Sequence, residues 1–137
     1  VILVDTNILV DIRERDPLWQ DWSLGAVADA RLAGPVAASV VTIGELGSRQ
    51  GSLEELLAFT AALGMGTTPL SAEAAHRAGA AQRAYRVAGG KREKLLADFL
   101  IGAAAEVAGA ALLTRDPHPY RTYFPELTLI TPETENG

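Results

Sequence analysis

VILVDTN, residues 1–7, joins a short unbroken apolar run directly to a carboxylate and an amide. Residues 1–4 are too few for a helix. They are β-branched or Leu throughout, which predicts a strand buried on both faces. Such strands belong to parallel sheets, where ligands collect beyond the carboxyl ends. Asp5 stands at that end of the first strand.

The rest of the chain repeats the pattern. Residues 36–41, 110–113 and 127–130 read as buried strands, and residues 67–70 as a short one. Helices are predicted between them. Asp16 and Pro17 open one that ends near Gly34, with Leu18, Trp22, Val27 and Ala30 facing inward. Ser52 and Glu55 form a capping box for a second, with Leu53, Leu56, Leu57, Thr60 and Leu63 on one side. Ser71 caps a third carrying Ala74, Ala75, Ala78, Ala81 and Tyr85, which frays at Gly89-Gly90. Residues 94–108 form a fourth, closed by Gly109. Residues 91–94 read as a charged connector, and residues 114–125, with three prolines, as a loop. Strands alternating with helices predict an α/β fold: a mainly parallel central sheet of about five strands with helices on both faces. The expected organisation is one domain over residues 1–131 and a polar tail over 132–137.

Composition narrows the chemistry. A chain of 137 residues buries a core without disulfides or a structural metal. With no cysteine there is no disulfide framework, zinc ribbon or thiol nucleophile, which suits a reducing cytoplasm. No basic segment precedes the first strand, so no signal peptide is expected. The longest apolar stretch, residues 95–113, is interrupted by Asp98 and Glu106 and predicts no membrane span. The net charge of −5 argues against a protein that grips nucleic acid by bulk charge.

Three acids follow strands: Asp5, Glu45 soon after residues 36–41, and Asp116 after residues 110–113. Asp98 lies at the start of an otherwise apolar helix, where an ionised carboxylate is costly unless paired or bound to metal. Singly each has an ordinary reading: a turn or cap for Asp5, a solvated helix residue for Glu45, a turn before Pro117 for Asp116, a helix-start acid for Asp98. If the strands are parallel neighbours, Asp5, Glu45 and Asp116 converge at one edge of the sheet, and Asp98 is the fourth acid. Carboxylates without Cys or a His pair suit a hard cation, Mg²⁺ or Mn²⁺. Such an ion can clamp a phosphodiester and activate water.

Four segments carry a family resemblance: LVDTN (3–7), TIGEL (42–46), DFLIGAA (98–104) and LTRD (113–116). In order and spacing they resemble the signature segments of PIN-domain ribonucleases, in particular the VapC-type toxins of toxin–antitoxin pairs. The resemblance runs over nearly the whole chain. It implies a Mg²⁺- or Mn²⁺-dependent endoribonuclease with one or two ions, a homodimer, and an antitoxin whose tail covers the site. Asp5, Glu45 and Asp98 take the first three acid places. Many relatives have Thr-Arg-Asn at the fourth segment, with an acid three residues after the Asn. Here Asp116 holds the Asn place and Pro119 the later one, so Asp116 is assigned as the fourth acid. Asn7 and Thr114 are expected to orient carboxylates or metal-bound water.

Arg13, Arg15, Arg115 and Arg121 are candidates for a phosphate groove, as are Lys91, Arg92 and Lys94, and Arg115 is expected beside the site. Ser39 and Thr42 are read as caps of the helix carrying Glu45, with holding substrate as the alternative, and His76 and His118 as non-ligands. Trp19 and Trp22 are read as packing residues, and Tyr120, Tyr123 and Phe124 as a loop anchor. A PIN-like module that binds RNA or protein without cutting is the alternative. A phosphatase would want a second Asp where Asn7 stands, and a receiver domain a Lys after a late strand, absent beyond Lys94.

Overall fold

The computed structural model describes residues 1–91 and 95–133. Five strands form one sheet in the order β3-β2-β1-β4-β5, with every pairing parallel. They are β1 (Ile2–Val4), β2 (Val36–Ser39), β3 (Met65–Thr68), β4 (Ala111–Leu113) and β5 (Leu129–Ile130). The helices are α1 (Thr6–Arg13), α2 (Gln20–Ala33), α3 (Val40–Arg49), α4 (Leu53–Ala62), α5 (Ala72–Val87), α6 (Leu95–Ala108) and α7 (His118–Tyr123).

Alternation along the strands divides the interior into two cores. Leu3, Ala37 and Leu112 face α5, α6 and α7, packing with Phe99, Ile101, Tyr120 and Phe124. Val4, Val36, Ala38 and Leu113 face the other way, with Ile8, Leu9, Val27, Leu46 and Leu56 of α1 to α4. This is the three-layer arrangement that residues 1–4 predict. The chain adds β2 and β3 on one side of β1, then returns to add β4 and β5 on the other. The order therefore reverses between β1 and β4, where α/β sheets open a crevice. No helix among the described residues is long and apolar enough to cross a membrane.

Several boundaries differ from the sequence reading. Residues 6–13, for which the sequence predicts no element, form α1. Its Ile and Val are weak helix formers, but Ile8, Leu9 and Ile12 are buried against the sheet. β2 stops at Ser39, because the Ser39 side chain accepts from the Val41 amide and turns Val40 and Val41 into α3. Asp16 does cap, accepting from the amides of Leu18 and Trp19. Regular helix begins only at Gln20, which leaves Leu18 83% exposed rather than inward. On α4 the inward stripe is Leu56 and Thr60, while Leu53 and Leu57 face solvent. Ala75 of α5 is likewise exposed. β3 begins at Met65, two residues early.

The predicted loop 114–125 contains α7, with Pro117 and Pro119 at its first turn, where proline is tolerated. Both capping serines act as read: Ser52 Oγ accepts from the Glu55 amide, and Ser71 Oγ from the Ala74 amide. The helix after the charged connector is described from Leu95, so its expected start at residue 94 and most of the connector lie outside the described residues. Of the tail, Glu133 is paired with Arg121 at 2.7 Å, and residues 134–137 lie outside the described residues.

Candidate active site

β1 ends at Val4, and the backbone turns immediately into α1 with Asp5 as its cap. Asp5 Oδ1 accepts from the Thr6 amide at 2.8 Å. Its other oxygen, Oδ2, accepts from two hydroxyls, Thr114 Oγ1 and Tyr120 Oη, each at 2.8 Å. Asp5 is only 4% exposed. Burial pushes its carboxyl up to about 6; the bonds from Tyr120, Thr114 and Thr6 oppose that rise, and the nearby Glu45 adds to it.

Glu45 projects from α3 and is fixed by the next residue of the first segment. Thr6 Oγ1 donates to Glu45 Oε1 at 2.6 Å and shares a 2.9 Å bond with Thr42 Oγ1. Asp98 lies in the first turn of α6 and is half-buried; Asp116 follows β4 and is exposed. The four carboxylates line one pocket of about 300 Å³, with Thr6, Asn7, Val10, Arg49 and Arg115 completing its wall. Burial, reinforced by the nearby carboxylates of Asp5, Asp98 and Glu45, holds the pKa of the Tyr120 hydroxyl well above the usual tyrosine value. Tyr120 therefore stays a neutral donor toward Asp5.

Asn7 and Thr114 form the brace between β1 and β4. Asn7 Nδ2 donates to Thr114 Oγ1 at 3.2 Å, and Asn7 Oδ1 accepts from the Arg115 amide at 3.2 Å. Arg115 lines the pocket, but its guanidinium is engaged. It bonds Asp11 bidentately at 2.8 and 2.9 Å and stands 5.2 Å from the centre of the Trp19 ring. Asp11 is 1% exposed and also accepts from Ser23 Oγ at 2.9 Å. Arg49 at the rim is held by Glu14. Arg13 donates to the Gln50 carbonyl and Arg121 pairs with Glu133, away from the pocket wall. His76 is exposed on α5 and His118 beside Asp116. Trp19 and Trp22 meet edge-on at 6.1 Å.

Two residues of this network escape sequence reasoning. Tyr120 reads as a loop anchor, and nothing in the sequence marks it as the donor to Asp5. It reaches there because Gly102 lets α6 and α7 close together, where a Cβ at Gly102 would stand 2.9 Å from the Tyr120 ring. Asp11 did carry a signal. It is an acid inside Ile8-Leu9-Val10-Asp11-Ile12, the same anomaly that singled out Asp98.

Does the donor set suit a hard cation? All four acids offer oxygen ligands. Among the described residues, no group of three or more His, Asp or Glu is gathered closely enough to grip an ion unaided. Mg²⁺ commonly keeps several waters and takes only one or two carboxylates plus substrate phosphate. A ring of carboxylates around an open, polar pocket fits that habit better than it fits a closed cage.

A family model described as PIN domain matches residues 2–125. A search among curated proteins finds no match. Among solved structures the chain is similar to one in VapBC2 from Rickettsia felis bound to a promoter DNA fragment, with 20% identity, TM-score 0.67, and 95% of this chain and 97% of that one covered. It is also similar to a chain of a toxin–antitoxin complex from Klebsiella pneumoniae, at 24% identity, TM-score 0.65, and 96% and 98% coverage. VapBC-1 from nontypeable Haemophilus influenzae gives 15% identity, TM-score 0.68, and 95% and 96% coverage. At these identities the likeness concerns the fold.

Proposed function

The chain belongs to the PIN-domain family, and from that premise we propose that it is a Mg²⁺- or Mn²⁺-dependent endoribonuclease, the toxin of a toxin–antitoxin pair. The observation that carries the reading is the gathering of Asp5, Glu45, Asp98 and Asp116 around one pocket where the strand order reverses. These four acids would hold one or two ions. A divalent ion bound there supplies positive charge to a phosphodiester and lowers the pKa of water.

The chain's own residues do the rest. Thr6 fixes Glu45, while Thr114, Tyr120 and the Thr6 amide fix Asp5, so neither carboxylate must be ordered when substrate arrives. The neutral Tyr120 hydroxyl favours the ionised form of Asp5, the form that binds metal. Asn7 and the Asp11–Arg115 pair hold the Thr114–Asp116 segment against β1.

That the similar structures are toxin–antitoxin complexes supports a cognate antitoxin as partner. A homodimer and a cytoplasmic site of action complete the reading. The open spacing of the acids favours one alternative, a PIN-like module that binds RNA or protein without cutting. Sequencing of cellular RNA ends after brief expression separates the two. New ends should accumulate with the native chain and not with Asp98→Ala; identical end profiles would leave only the binding module.

A further inference from the structure

Among the described residues two cations line the carboxylate pocket, Arg49 and Arg115, and they are held in different ways. Arg115 forks onto Asp11, whose side chain is 1% exposed, so its guanidinium is part of the fold. Arg49 is the last residue of α3, one turn beyond Glu45 on the same side of the helix. Its Nε and Nη2 donate to the two carboxylate oxygens of Glu14, the residue that caps the end of α1, with the Nη2 bond at 2.8 Å. The two side chains are 48% and 45% exposed. An ion pair so open to water adds little to stability. Its bonds to Arg49 hold the Glu14 carboxyl below the usual value, and the nearby Arg13 adds to that. Arg13 is itself anchored on the Gln50 carbonyl at 2.8 Å. Glu14 therefore keeps a cation beside it when Arg49 turns away.

A fork that grips two oxygens of a carboxylate grips two oxygens of a phosphodiester in the same way. The acids next to Arg49 have other donors. Glu45 Oε1 accepts from Thr6, and Asp5 accepts from Thr6, Thr114 and Tyr120. With one divalent ion bound, four carboxylates would still leave the pocket negative, so an entering phosphodiester needs a further cation. Arg115 cannot supply it without stranding the buried charge of Asp11. Arg49 can, because it gives up only an exposed partner.

We propose that Arg49 is a substrate-binding residue that exchanges Glu14 for a phosphate of the RNA, on the side of the pocket formed by α1 and α3, and that Glu14 is the competitor for its guanidinium. The proposal rests on the endoribonuclease reading and adds to it a residue outside the four signature segments. It requires that removing the two partners act in opposite directions, whereas the loss of either half of a purely structural pair acts in the same one. The test is binding of a short labelled oligoribonucleotide by fluorescence anisotropy, in Mg²⁺, on an Asp98→Ala background that leaves Arg49 and Glu14 in place. Arg49→Gln should weaken binding about ten-fold and reduce the slope of log affinity against log salt by about one. Arg49→Lys keeps the charge and loses the fork, so it should keep the slope and regain part of the affinity. Glu14→Gln should tighten binding about three-fold, the worth of an exposed ion pair. Arg121→Gln and Glu133→Gln make the same charge changes at an exposed pair away from the pocket and should stay within about two-fold. Unchanged affinity in Arg49→Gln, a Glu14→Gln chain that binds no tighter, or control variants that shift binding as far as their counterparts would overturn the proposal. So would a background chain that binds no RNA. A native chain that cuts no RNA in Mn²⁺ while these shifts hold overturns the endoribonuclease reading alone; cutting by the native chain with no shift in Arg49→Gln overturns the Arg49 assignment alone.

Discussion

Asp5 carries its charge where burial opposes it. Its carboxyl is raised from 3.8 to about 6, so the folded state holds the proton more tightly than the unfolded chain does. The matching stability is full below about 3.8 and is lost as pH rises through about 6. By pH 7 the loss is about 3 kcal/mol. The difference in stability between Asp5→Asn and wild type in EDTA should therefore move in the variant's favour between pH 4 and pH 7, by up to about that amount. Urea titrations across that range check it, and a difference that stays flat with pH would remove Asp5 from the account. Tyr120→Phe probes the same carboxylate from its partner. Losing that donor raises the Asp5 carboxyl further, so Mn²⁺ uptake followed by calorimetry should shift to higher pH. The fold should lose only about 1 kcal/mol, because Thr114 still bonds the same oxygen. An unmoved pH profile would make Tyr120 a packing residue only.

At the scale of elements, Asp11 joins α1 to α2 through Ser23 and to the segment after β4 through Arg115. Removing one side of such a pair strands a charge beside a buried surface. Asp11→Ala should cost about 3 kcal/mol, the low end for a buried pair because Arg115 keeps partial contact with water. Denaturant melts measure it, and a double-mutant cycle with Arg115→Ala should recover much of the loss. Additive losses would mean the two side chains do not act as a pair.

These elements also mark how far sequence reads. Residues 1–4 declare a buried strand because no polar residue interrupts them, and Ser52 and Ser71 declare helix starts because a hydroxyl can satisfy a free amide. α1 is not declared. Ile8, Val10 and Ile12 are poor local helix formers, and only burial against the sheet decides their conformation. The Ser39 cap inside an apolar, β-branched stretch hides the end of β2 for the same reason. Asp5 and Asp116 are legible because strand ends are, Glu45 because it soon follows one, and Asp98 because it is an acid in an apolar helix. Tyr120 is not, since its approach to Asp5 depends on how closely α6 packs on α7 at Gly102.

For the whole molecule the net charge of −5 first reads as a bar to RNA. The fold resolves it into regions. Four of the 17 acids ring one pocket, and without them the balance is 13 acids against 12 bases. One divalent ion would bring the chain to −3 and two to −1. Four carboxylates without a cation would repel phosphate, and a bound divalent ion would reverse that. The most direct test is cleavage of RNA by purified protein in Mn²⁺ and in EDTA, with Asp98→Ala and Asp5→Asn beside the native chain. Cutting is expected from the native chain in Mn²⁺ alone and from neither variant, both still folded by circular dichroism. Full cleavage by Asp5→Asn, or by the native chain in EDTA, would contradict it.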